Sequence, residues 1–130
     1  MKRSAILTIT SLLSILLGTF HMSDDIVRGF EKGGVSNLTI VPMCVVWLYG
    51  TLVLTGRRSG YIIILLFSLL SSAVPIIHMK GKGVGIGSSI FNSSGGFFFI
   101  WTLIALGVTG LFSVVLSVEG LWSLPWRRPR

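Results

Sequence analysis

Acidic side chains are scarce in this sequence: Asp24, Asp25, Glu31 and Glu119 are the only four in 130 residues, and charged residues of both signs make up 12% of the chain. A soluble domain needs more charge than this to wet its surface, and with 52% hydrophobic residues the chain reads as an integral membrane protein. Cysteine is as scarce. Cys44 stands alone inside an apolar run, so an intramolecular disulfide and a cysteine-based metal cluster are both excluded. The sequence has no serine-nucleophile motif and no metalloprotease helix, and "GKGVGIG" at 81–87 lacks the Lys-Ser/Thr ending of a phosphate-binding loop, which excludes nucleotide binding of that kind.

What the chain does have is four long apolar runs, approximately 4–20, 38–55, 61–77 and 97–118. Each is long enough, or nearly so, to cross the hydrocarbon core as a helix. The runs are continuous rather than alternating, which argues against a β-barrel. The expected fold is therefore all-α, a transmembrane four-helix bundle forming one domain over residues 1–130. No inverted repeat of the kind built into many transporters is visible. The opening "MKRSAILTITSLLSILLGTF" has the basic start and apolar middle of a signal peptide, but no convincing small-residue cleavage pattern follows. It is expected to stay as the first span.

The net charge of +7 is distributed as topology signals, not as a nucleic-acid-binding face. Lys2, Arg3, Arg57, Arg58, Arg127, Arg128 and Arg130 fall on one side of a four-span arrangement, and Arg28, Lys32, Lys80 and Lys82 on the other. The excess places both termini in the cytoplasm, in a bacterial inner membrane. Trp122 and Trp126, beside the terminal arginines, read as interfacial anchors. Of the two outer loops, the first is expected to carry a short interfacial helix ended by Gly33 and Gly34. The second, rich in Gly and Ser, is expected to fold back over the outer mouth.

The spans carry polar stripes. Ser4, Thr8, Ser11, Ser14, Gly18, His21 and Asp25 recur at helical spacing in the first span. Ser68, Ser71 or Ser72, Pro75 and His78 do so in the third, and Thr102, Ala105, Thr109, Ser113 and Ser117 in the fourth. Small residues and interhelical hydrogen bonds are what hold membrane helices together, so packing is the first reading and a narrow proton or ion path the second. Trp47, mid-span, is expected to direct its indole N–H at an acceptor inside the bundle or in a ligand. Pro75 is expected to kink the third helix, and Gly107 and Gly110 to permit close helix approach.

The candidate chemistry lies at the outer face. His21 closes the first span and His78 the third, so both imidazoles reach the same depth. Asp24, Asp25 and Arg28 follow His21 at helical spacing, which allows all of them to face one mouth. His21, Asp25 and His78 suit a divalent transition metal such as zinc. Two facing histidines could instead hold a haem iron, and an Asp–His pair could move protons. The competing structural reading has Ser23 capping a new short helix whose first turn holds Asp24 and Asp25, with Arg28 paired to Asp24.

Taken together, "HMSDDIVRG", "WLYGTLVLTGRRSGY" and "IWTLIALGVTGLFSVVLS" resemble small, uncharacterised bacterial four-span membrane proteins, and the architecture is loosely similar to that of DoxX-like proteins. The resemblance implies a fold and no activity. The expected function is that of a non-catalytic membrane component or accessory subunit with a small extracytoplasmic binding site near His21, Asp25 and His78. It is expected to contact the lipid bilayer and to self-associate or join a larger membrane complex, with no nucleic-acid partner. The alternatives are a small ion or solute transporter or channel subunit, and a metal- or haem-dependent membrane enzyme.

Overall fold

The computed structural model describes residues 3–80 and 92–124, with the backbone alone for Met79 and Lys80. Four helices follow one another: α1 (Arg3–Val27), α2 (Ile40–Leu52, entered through a 3-10 turn at Val35–Thr39), α3 (Arg58–Lys80) and α4 (Gly96–Ser123). All four segments, the 3-10 turn included in the second, are long and apolar enough to cross a membrane. The protein is an all-α, multi-pass membrane four-helix bundle. The expected fold-back of the second outer loop falls mainly on residues 81–91, and Trp126 and the terminal arginines on 125–130, outside the described residues.

The helix boundaries differ from the apolar runs, and the difference matters most in α1. The apolar run ends at Phe20, but the helix continues to Val27, so no second helix begins at Ser23. The Ser23 hydroxyl donates back to the Thr19 carbonyl at 2.8 Å, as an interior helical serine does. The stop comes at Gly29 rather than at Gly33 and Gly34. Gly29 has φ of 77°, its N–H bonds the Ile26 carbonyl, and the Phe30 N–H bonds the Asp25 carbonyl. This is the paired 5→2 and 6→1 closure that a glycine in the left-handed region permits. The consequence is that His21 and Asp25 share one helical face, a turn apart.

The interior of the bundle combines small polar residues with a few large apolar ones such as Ile64, Phe99 and Leu103, and its outside is apolar. Ser11, Ser14, Thr51, Ser68, Thr102, Ser113 and Ser117 are all essentially buried, while Leu66, Leu111, Phe112 and Val115 are exposed. That inversion suits lipid as the surrounding solvent, where close backbone approach and cross-helix hydrogen bonds hold helices together. The serine and threonine hydroxyls bond across the helices: Ser14 to Thr109 at 2.9 Å and Ser113 to Thr10 at 3.0 Å. Of the two sequence readings of the stripes, packing is the one these bonds favour.

Trp47 joins α2 to α1. Its indole N–H donates to Ser11 Oγ at 2.9 Å, and Ser11 Oγ lies 2.7 Å from Thr51 Oγ1. Because the Thr51 hydroxyl already donates to the Trp47 carbonyl, Ser11 must be the donor to Thr51. Ser11 therefore serves both partners, and Ser11→Ala leaves a buried N–H without its acceptor. We expect it to cost about 1–2 kcal/mol, measured by denaturant unfolding in micelles. Ser23→Ala, on an exposed face, should change stability little in the same assay.

Candidate functional site

At the end of the bundle opposite Arg3 and Arg58, α1 and α3 bring two imidazoles and a carboxylate together. His21 Nε2 and His78 Nε2 are 2.9 Å apart. Asp25 Oδ2 lies 3.6 Å from the first and 3.9 Å from the second. The three residues are only 4%, 9% and 6% exposed for His21, His78 and Asp25 respectively, so solvent does little to satisfy them. Asp25 Oδ1 and His21 Nδ1 are buried with no hydrogen-bond partner among the described residues.

The rings are held by packing. They meet edge to face with centroids 4.7 Å apart, and the fully buried Phe99 of α4 lies against both, at 5.2 Å from His21 and 5.5 Å from His78. Phe99 is the residue that sequence reasoning missed. A signal for it existed, because Phe99 sits three residues before Thr102 and so extends the fourth span's inward stripe. Within "FFF", however, nothing local distinguishes Phe99 from Phe97 and Phe98, which are exposed.

The expected cluster divides in two. Asp24 turns away from the histidines and accepts a 2.7 Å hydrogen bond from Arg28 Nε. Arg28 in turn donates to Ser93 Oγ at 2.9 Å and to the Ser94 carbonyl at 3.3 Å, with its guanidinium over Phe99. The pairing part of the structural reading thus holds for Asp24 and Arg28. They brace the end of α1 against the approach to α4, while His21, Asp25 and His78 form a separate group.

That group has the spacing a single ion needs. Ligand atoms held about 2.0–2.1 Å from a tetrahedral zinc stand roughly 3.3 Å from one another. The three observed separations bracket this value, and one donor atom from each residue lies within 4.8 Å of the others. At 2.9 Å the two Nε2 atoms are in hydrogen-bond contact, the donor set by the tautomer, and an ion bound by both would take the place of that proton. A haem would need its macrocycle between the rings, where their direct contact and Phe99 leave no gap.

A cavity of about 300 Å³ opens beside the group, between α1, α2 and α3. His21, Asp25 and His78 line one part of it, and Trp47 another. The indole of Trp47 is stacked on Phe67 at 5.3 Å. Of the two acceptors expected for the Trp47 N–H, it is the one inside the bundle, Ser11, that receives it, while the ring lines the cavity. Comparison with known proteins finds no matching family model, curated protein or solved structure.

Proposed function

We propose that this chain is a non-catalytic membrane component that binds one divalent transition metal ion, zinc being the best fit, at the extracytoplasmic end of its helix bundle. The ligands are His21 Nε2, His78 Nε2 and the Asp25 carboxylate. The observation that carries the reading is the convergence of these donor atoms in a buried place, with an Asp25 oxygen that has no hydrogen-bond partner among the described residues. Two nitrogens and one oxygen form a borderline donor set that suits zinc better than the hard, oxygen-seeking calcium or magnesium. Arg3, Arg57 and Arg58 at the opposite end support the orientation.

Metal content tests this directly. Protein purified after zinc exposure should hold about one ion per chain, and His21→Ala or His78→Ala should hold almost none, while Asp24→Asn, outside the group, should keep it. In intact cells an impermeant chelator should strip the ion from outside. A wild-type protein without stoichiometric metal, or variants that retain it while running as well-folded monodisperse particles, would overturn the assignment. Stripping only after membrane disruption would reverse the orientation.

A further inference from the structure

The three protein donors leave a tetrahedral ion with one open position, and the cavity beside them suggests what fills it. Zinc with the Asp25 carboxylate carries one net positive charge, and at a buried site such a charge calls for one compensating anion. The cavity that begins at this group is otherwise apolar through most of its length. It passes Met22, Ile77, Val74 and Leu70 before reaching the stacked Trp47 and Phe67. At roughly 30 Å³ for a water-sized group, a volume of about 300 Å³ holds on the order of ten heavy atoms. Glu31 also lines the cavity and is exposed.

We infer that this cavity binds a single-chain amphiphile with a carboxylate head, the head taking the open position on the ion and the apolar body lying between α1, α2 and α3 against Trp47. The inference rests on the metal reading and adds a ligand class to it. The two interactions are complementary. A short carboxylate such as acetate satisfies the ion without filling the apolar space, and a fatty alcohol fills the space without supplying the charge. A medium-chain fatty acid does both, which is why decanoate should surpass either.

Two properties of the protein make the test specific. Cobalt can replace zinc in such a site and reports its coordination through visible absorption bands. Cys44, the one cysteine of the chain, lines the cavity and reports on its occupancy through its reaction with a small thiol reagent. With cobalt-loaded protein in a neutral detergent, decanoate should change the spectrum saturably and slow Cys44 modification at least tenfold. Acetate and decanol at the same concentration should each do much less. In metal-free protein the decanoate protection should fall at least tenfold. Ser71→Leu, which adds bulk to the cavity wall away from the donor atoms, should keep the cobalt spectrum and lose the decanoate response.

Normal cobalt loading with no effect of decanoate on either readout overturns the inference and leaves the metal reading intact, with water in the open position. Acetate as effective as decanoate removes the apolar body from the ligand. Failure to load cobalt or zinc at all overturns the metal reading, and this inference with it.

Discussion

Zinc at a thousandfold excess over its Kd is expected to stabilise the folded protein by about 4 kcal/mol, and the gain should disappear in His78→Ala. The reason lies in which helices the donors come from. His21 and Asp25 stand on α1 and His78 on α3, two helices that touch each other sparingly and each pack mainly against α4. An ion shared between them replaces the single His21–His78 hydrogen bond with stronger metal–ligand links, and these break on unfolding because the donors are far apart in sequence. Thermal unfolding in micelles, with zinc and then with excess chelator, measures the gain. A shift of the same size in His78→Ala would mean that zinc acts elsewhere.

The same site predicts an effect of opposite sign. In the metal-free protein Asp25 is a buried carboxylate with one oxygen unpartnered among the described residues, and such a group is destabilising unless neutralised. Asp25→Asn keeps the shape and removes the charge. It should therefore stabilise the apoprotein by about 1–3 kcal/mol while abolishing most of the zinc-dependent gain. A residue retained only for folding would behave the other way. An Asp25→Asn protein that is less stable without metal would assign Asp25 a structural role.

The sequence made the four spans legible because the bilayer imposes one demand on each of them, some twenty apolar residues, and the runs meet it. The shared depth of His21 and His78 was legible for the same reason: each sits at the polar end of an apolar run. The end of α1 was less so. The competing stop signals, Gly29 and the Gly33–Gly34 pair, differ only in which backbone carbonyls lie within reach, and that depends on the helix already being formed. The split between Asp24 and Asp25 follows from this boundary. On a continuous helix adjacent residues point about 100° apart, so one carboxylate meets His21 and the other Arg28. Phe99 and the cavity depend on how three helices meet, for which a single chain read in order gives no distance.

Gly110→Leu is expected to be strongly disruptive, because it acts on the contact between α3 and α4, the most extensive in the bundle. A Cβ at Gly110 would stand 2.8 Å from Ser72 Oγ and 3.1 Å from both the Ser68 carbonyl oxygen and the Ser72 nitrogen. Two of these atoms are backbone, so no rotamer change can clear them and the helices must move apart. One turn away, a Cβ at Gly107 would meet the Pro75 ring at 2.8 Å, so the proline seats in a glycine notch and α3 cannot slide to relieve the strain. Overpacking of this kind costs about 1–3 kcal/mol for small insertions, and for leucine we expect the upper end or more. In lipid there is little hydrophobic drive to restore the contact once it opens. Gly110→Ala should cost less, and Leu111→Ala on the lipid-facing side almost nothing, in denaturant unfolding in micelles. The damage should also reach the metal site. Phe99 on α4 packs against His78 on α3, so parting these helices loosens the ring that must meet His21. Zinc affinity in Gly110→Ala should therefore fall severalfold although no ligand has changed. Unchanged affinity would mean that α1 and α3 set the donor geometry without α4.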